Sequence, residues 1–218
     1  MVFTARDDYR FRGNMRKREN EMLGSNDGKT RSVIRNMDGA GWDFNMSRHR
    51  LHALEAPMGP SYTVYNRRFM TVCYDGQSAE EGYWKLRQEA AVLNTGELPL
   101  QFEGPDAERL LDKLFTKNIT KVKPMRCGYG LACYHDGGLL VDGVLMRLSA
   151  DKFWYVQADG DFYNWARAHS VDMDVKISDP QVYVSQCQGP NALKILAAAS
   201  ATGELPSPFG YFGIAKVD

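Results

Sequence analysis

The stretch that decides the fold is LPLQFEGPDAERLL, residues 98–111. In its first half Leu98, Leu100 and Phe102 recur with a period of two, which predicts a β-strand with one buried face. Gly-Pro-Asp at residues 104–106 then predicts a turn into a helix, because the missing N–H of proline costs nothing in a first helical turn. The apolar side of that helix is predicted to comprise Leu110, Leu111, Leu114 and Phe115.

A similar segment returns later in the chain as GPNALKIL, residues 189–196, where most of the eight positions of residues 104–111 are kept or conservatively changed. Each copy follows a short strand pattern and opens a helix. Strand-turn-helix junctions could converge on such residues, but we favour two related α+β halves packed together. Because little sequence follows the second copy, the second half is predicted to be truncated.

On the C-terminal side of the first copy, the sequence predicts a β-meander. Strands are expected at residues 129–134, 139–148 and 153–157, joined by turns whose Asp-Gly and Gly-Gly pairs supply positive φ angles. A helix at residues 162–169 and a strand at residues 183–186 are predicted to follow.

On the N-terminal side of the first copy, two runs rich in β-formers predict strands at Tyr62–Tyr65 and Phe69–Tyr74. Ser78 and Glu81 have the spacing of a capping box, in which Ser and Glu each bond a backbone N–H at the start of a helix. We expect this helix to continue until about Asn94-Thr95-Gly96.

The first 60 residues are predicted to be an extended or poorly ordered arm, since they are rich in Arg, Asn, Gly and Asp and poor in apolar periodicity. An RNA-binding arm is the less favoured alternative because the surplus of basic residues is small. A second alternative is that the native protein begins at Met46. Residues 61–218 are predicted to be one folded domain.

Charge and composition exclude several classes of function. The chain has 27 Lys and Arg residues and 27 Asp and Glu residues, so nucleic acid and anionic membranes are not expected partners. It has no apolar run long enough to span a bilayer. The four cysteines show no Cys-x-x-Cys spacing, which predicts cytoplasmic thiols, with no disulfide framework and no metal site.

Asp142 is the strongest candidate for a catalytic residue. It lies in a strand pattern among Leu139, Leu140, Val144 and Leu145, and a carboxylate in apolar company is costly unless it is paired or functional. A strand-end aspartate that faces water by simple alternation is the structural alternative.

Taken together, these elements resemble the folate-dependent aminomethyltransferase family, which includes the T-protein of the glycine cleavage system and several demethylases. The resemblance rests on Arg126-Cys127-Gly128-Tyr129, on the segment from Gly137 to Asp142, on residues 155–159 and on Gln188-Gly189-Pro190. Thr63-Val64-Tyr65-Asn66 makes the chain most similar to the branch of the dimethylsulfoniopropionate and aryl-ether demethylases.

The sequence departs from the family pattern at two places. The T-protein usually has two adjacent aspartates where this chain has Val141-Asp142, so only the second carboxylate is kept. Asn94-Thr95-Gly96 stands where the family commonly has Asp-x-Ser.

The resemblance implies tetrahydrofolate as cofactor and a small methylated donor as partner, with a methyl group transferred to N5 of the folate. A glycine-cleavage aminomethyltransferase and a non-catalytic folate-binding module of a larger oxidoreductase are the alternatives. The chain by itself is expected to be inactive, because later folate-binding residues of the family would lie beyond Asp218.

The resemblance also assigns roles to individual residues. Asp142 would face the folate nitrogens as catalytic residue and could accept a proton. Tyr129, Gln157 and Asp159 would help to bind the cofactor, and Tyr65 would line the substrate pocket. A core tyrosine is the alternative for Tyr65 and Tyr129. Cys127 is expected to be a buried thiol rather than a nucleophile, and Trp154 and Trp165 are expected to be core residues.

Overall fold

The computed structural model describes residues 47–48, 50–66, 68–206 and 210–217. The chain divides into two compact units, residues 1–82 and residues 83–218. The predicted arm lies outside the described residues as far as residue 46. No helix in the described part of the chain combines the length and the apolar character needed to cross a bilayer.

The first unit holds a three-stranded sheet. Strand β1 (Ser47–Arg48) is followed by the short helix α1 (His52–Glu55) and a 3₁₀ turn (Ala56–Met58). Strands β2 (Ser61–Tyr65) and β3 (Arg68–Cys73) form an antiparallel hairpin, and β1 pairs with β3 in parallel. The two strands predicted from the β-rich runs are therefore confirmed.

Glu55 attaches α1 to this hairpin. Its buried carboxylate accepts hydrogen bonds from the Thr71 hydroxyl at 3.1 Å and from the Tyr74 hydroxyl at 2.9 Å. The pKa of Tyr74 is raised to about 12, chiefly by burial and then by its hydrogen bond to Glu55. The two hydroxyl donors satisfy a carboxylate that would otherwise be costly to bury.

Helix α2 (Ala79–Gln88) begins at the predicted capping box. The backbone N–H of Glu81 donates to Ser78 Oγ at 3.0 Å, and the backbone N–H of Ser78 donates to Glu81 Oε2 at 3.2 Å. The expected end of this helix was wrong, because Ala91–Asn94 forms strand β4. Strand β4 pairs antiparallel with Ser185–Gln188, a partner that lies far away in sequence.

The second unit is built on a five-stranded antiparallel sheet. Its strands are β5 (Leu98–Glu103), β6 (Arg126–Cys133), β7 (Leu139–Arg147), β8 (Lys152–Gln157) and β9 (Lys176–Ser178), in the spatial order β6-β7-β8-β5-β9. The predicted meander β6-β7-β8 is confirmed. The predicted strand near residue 183 is found two residues later, as β10 (Ser185–Gln188).

Three helices complete this unit: α3 (Ala107–Leu114), α4 (Phe162–His169) and α5 (Ala192–Ala199). One face of the sheet packs on α3 and α4, and Phe102, Phe153 and Phe162 are fully buried between them. The four residues predicted for the apolar side of α3 are all buried. The hydrophobic pattern of residues 98–115 therefore predicted the core correctly.

Each copy of the repeated segment begins with a glycine in the left-handed region. Gly104 has a φ of +139°, and a Cβ there would lie 2.4 Å from the carbonyl oxygen of Asp174. Gly189 has a φ of +118°, and its Cβ would lie 2.7 Å from Ala90 Cα. Both glycines thus allow a turn that also approaches another backbone segment closely.

Candidate functional site

Two of the residues predicted for the site, Tyr129 and Asp142, lie on the hairpin formed by β6 and β7. Leu131 lies opposite Asp142, and Tyr129 lies opposite Val144. All four side chains point away from α3 and α4, because the alternate positions of both strands face the core. We call the sheet side that carries these four residues the open face.

Tyr129 and Asp142 are joined directly on the open face. They are diagonal neighbours on adjacent strands, a separation that an aromatic side chain can span. The Tyr129 hydroxyl donates a hydrogen bond to Asp142 Oδ2. The pKa of Tyr129 is raised, first because the carboxylate holds the phenolic proton and then by burial and by the negative charge of Asp142.

Two glycines fix the backbone beneath this pair. Gly130 and Gly143 lie directly opposite each other, and their missing side chains would point toward the core. A Cβ at Gly130 would lie 3.1 Å from the Phe115 ring, and one at Gly143 would lie 2.3 Å from the carbonyl oxygen of Val156. Any side chain at either position would therefore displace aromatic core packing or a neighbouring strand.

Tyr155 occupies the space that these glycines leave. Its ring packs edge-on against Phe115, with centroids 4.7 Å apart, and its hydroxyl donates to the carbonyl oxygen of Gly130 at 3.2 Å. The pKa of Tyr155 is raised, mainly by burial and also by the charge of Asp142. A buried phenol thus braces the strand that carries Tyr129.

The open face continues across β8 with residues that the sequence did not indicate as part of the site. Val156 lies opposite Val144, and Trp154 lies opposite Met146. The expectation that Trp154 is a core residue was wrong: it is half-buried on the open face and its indole N–H donates to Gln101 Oε1 at 3.0 Å. Strand β8 is apolar on both faces, so alternation could not indicate which side faces the helices.

Gln157 and Asp159 are not brought together with Asp142 on the open face. Gln157 lies opposite Gly143 on the core side and is only 1% exposed. Its Nε2 donates to the carbonyl oxygen of Gly160 at 3.3 Å, while its buried Oε1 has no hydrogen-bond partner among the described residues. Asp159 is exposed in the loop that follows β8.

This loop nevertheless lies next to Asp142 along the backbone. The N–H of Ala158 donates to the carbonyl oxygen of Asp142 at 3.0 Å, which extends the pairing of β7 and β8 by one residue. The loop that carries Asp159 therefore starts beside the candidate catalytic strand.

The remaining candidates lie elsewhere. Tyr65 ends strand β2 in the first unit and is partly buried there. Cys127 is half-buried, and burial raises the pKa of its thiol, although the charge of Arg126 opposes this shift. This environment favours the expected unreactive thiol.

Within the described ranges, no three His, Cys, Asp or Glu residues are grouped so that they could hold a metal ion.

The chain is similar to known proteins along most of its length. The family model described as the GCVT N-terminal domain matches residues 49–218. The aminomethyltransferase of Corynebacterium aurimucosum is 31% identical over 153 residues, which are 67% of this chain and 40% of that protein. The dimethylsulfoniopropionate demethylase of Ruegeria pomeroyi is 30% identical over 147 residues, which are 66% of this chain and 40% of that protein.

The fold is similar to that of the glycine cleavage system aminomethyltransferase T from Bartonella henselae. The TM-score is 0.68 at 18% identity, over 77% of this chain and 46% of that one. The expected mixed α and β fold of this type is thus confirmed, while the relation between its two halves stays a prediction. The chain spans less than half the length of these relatives.

Proposed function

This chain belongs to the family of the GCVT N-terminal domain, and from that premise we propose that it transfers a methyl group from a small methylated donor to N5 of tetrahydrofolate. The observation that carries the proposal is the Tyr129–Asp142 pair on the open face. The similarity to a dimethylsulfoniopropionate demethylase supports the demethylase type of reaction.

The residues of the open face fit a folate ring by their chemistry. Asp142 offers carboxylate oxygens, which accept hydrogen bonds from ring N–H groups. Leu131, Val144 and Val156 supply partly exposed apolar surface beside that acceptor, against which a flat heterocycle could pack. Apolar walls with a few fixed polar groups are typical of cofactor sites.

Bound tetrahydrofolate would supply the nucleophilic nitrogen that accepts the one-carbon unit. Asp142 would accept a hydrogen bond or a proton at Oδ1, because Oδ2 already accepts the bond from Tyr129. Asp159 would contact the cofactor from the adjacent loop. The proposed contribution of Gln157 is indirect, because it faces the core and its Nε2 donates to the carbonyl oxygen of Gly160 in the loop that carries Asp159. Tyr65 stays a predicted contact of the methyl donor.

The experiment is a titration of the full-length protein with tetrahydrofolate, followed by incubation with sulfonium, aryl-ether and methylamine donors and assay for 5-methyltetrahydrofolate. We expect binding and methyl transfer to fall at least tenfold in Asp142→Asn. Asp172→Asn is the matched control, since Asp172 is exposed and its left-handed backbone tolerates asparagine. Full turnover by Asp142→Asn would refute the assigned role.

Two other functions remain as candidates. Similarity to the aminomethyltransferase of Corynebacterium aurimucosum supports transfer from an aminomethyl donor instead. A folate-binding module without its own chemistry is favoured by exposure, because Tyr129 keeps 47% of its surface accessible whereas reacting groups are usually shielded from water. Binding of tetrahydrofolate without product from any donor would indicate the module.

We further propose that residues 98–114 and 185–199 are equivalent parts of two related halves. The support is the shared order of strand, left-handed glycine and helix in both segments.

The four free cysteines also support a reducing compartment such as the cytoplasm as the place of the reaction.

A further inference from the structure

We propose that Tyr129 is a positioning residue that acts through Asp142: its hydroxyl holds Oδ2 so that Oδ1 is presented to the ligand. The proposal rests on the proposed function, because it concerns the same carboxylate. It differs from a direct role of Tyr129 as a ligand contact, which the sequence alone suggested.

The surroundings of the Asp142 carboxylate leave its orientation to the Tyr129 hydroxyl. Among the described residues, only Tyr129 donates a hydrogen bond to the Asp142 side chain. On the open face, Leu131 lies directly opposite Asp142 and Val144 follows it on its own strand, and neither has a polar side-chain group. Without the phenol, rotation of the Asp142 carboxylate would therefore be limited only by apolar contacts and water.

The backbone of the two strands beneath the pair is better supported than the Tyr129 side chain. The Tyr129 side chain lies on the open face and keeps 47% of its surface accessible, so core packing does not hold its ring. The backbone, in contrast, is braced from below by Tyr155 and by the close approach at Gly143. A rigid backbone with a single side-chain hydrogen bond on top lets that bond determine how the carboxylate points.

The Tyr129 hydroxyl carries the proton that this hydrogen bond needs over a wide pH range. A phenol with the ordinary pKa of about 10 is protonated at neutral pH, and the raised pKa of Tyr129 extends this range to higher pH. A raised pKa stabilises the protonated pair at every pH below the ordinary value of about 10, and this contribution is lost as the pH rises above the raised value. Donation from Tyr129 to Asp142 is thus present under the conditions in which a folate enzyme works.

The experiment needs two measurements on the full chain. The first uses no ligand: the ionisation of Tyr129 is followed by NMR with ¹³C-labelled tyrosine, and its signal is assigned with Tyr129→Phe. In Asp142→Asn we expect the pKa of Tyr129 to fall toward its ordinary value of about 10. An unchanged pKa of Tyr129 would show that the two side chains are not coupled.

The second measurement is the dissociation constant for tetrahydrofolate in Tyr129→Phe, Asp142→Ala and the double variant. We expect Tyr129→Phe to weaken binding about threefold to tenfold, as loss of one hydrogen bond does. It should have no further effect when Asp142 is already Ala, because a positioning residue works only through its partner. Tyr134→Phe, equally exposed at 47%, is the control and should leave binding unchanged.

The outcomes separate this proposal from the proposed function. Equal losses from Tyr129→Phe with and without the Asp142 carboxylate would mean direct ligand contact by Tyr129, and the positioning role would be wrong. Normal tetrahydrofolate binding by Asp142→Asn would overturn the proposed function. The ligand-free shift of the Tyr129 pKa would still report whether the pair itself exists.

Discussion

At the scale of single residues, Arg147 connects several parts of the second unit. It ends strand β7, and its side chain is only 11% exposed. It forms an ion pair with Glu108 on α3, and its guanidinium lies 4.9 Å from the centre of the Phe153 ring. Its three nitrogens also donate to the backbone carbonyl oxygens of Val122, Ser149 and Ala150 at 2.8–3.2 Å.

We therefore expect Arg147→Ala to lower the free energy of unfolding by about 2–4 kcal/mol, because it leaves three carbonyl groups and Glu108 without their donor. Urea denaturation measures this difference. Arg109→Ala is the matched control: Arg109 is 63% exposed, pairs with Asp106 alone among the described residues, and its loss should cost less than about 1 kcal/mol. Equal losses in the two variants would contradict the role of Arg147.

Tyr74 gives a prediction about pH. Its pKa is about 12, which is above its ordinary value, so its bond to Glu55 contributes stability that is complete below pH 10 and lost as the pH rises through 12. Difference absorbance titration of the wild type against Tyr74→Phe should show one phenol that ionises near pH 12. In Glu55→Gln this ionisation should move toward lower pH, and an unmoved titration would exclude the contact.

At the scale of elements, the β6–β7 hairpin shows how far local patterns reach. Turn residues and hydrophobic runs predicted both strands to within about three residues. The register that places Tyr129 within reach of Asp142 depends on the Gly130–Gly143 pair and on the aromatic rings beneath it. No local pattern contains that information, because the rings come from residues 115 and 155.

Gly143→Ala tests the dependence of the site on this close approach. The added methyl group would lie 2.3 Å from a strand carbonyl oxygen, so β7 and β8 must separate. We expect a loss of about 1–3 kcal/mol in the free energy of unfolding together with weaker tetrahydrofolate binding.

Gly82→Ala is the control for this substitution. Gly82 lies on helix α2, where the nearest atom to an added Cβ is 4.0 Å away. This change should stabilise the chain by up to about 1 kcal/mol, because alanine has the higher helix propensity. Stabilisation by both variants would show that the approach of β7 and β8 is not tight.

At the scale of the whole molecule, ligand binding should raise the free energy of unfolding. A ligand that binds only the folded chain raises the free energy of unfolding by about 2.7 kcal/mol at a hundredfold excess over its dissociation constant. We expect tetrahydrofolate to raise the melting temperature of the wild type but not of Asp142→Asn. Equal shifts in both proteins would place the ligand away from the open face.

The sequence by itself determined the features that depend on neighbours along the chain. The capping box of Ser78 and Glu81, the apolar side of α3 and the helix at residues 162–169 all follow from spacing and turn chemistry. Asp142 could also be selected from sequence, because its apolar neighbours and the family resemblance both indicate an unusual carboxylate.

Only the tertiary structure decided which side chains share a surface. It assigned Trp154 to the open face and Gln157 to the core, paired β4 with β10, and joined Tyr129 to Asp142. The physical reason is that strand register is set by contacts between residues far apart in sequence. A shift of one residue would turn every side chain of a strand to the other face.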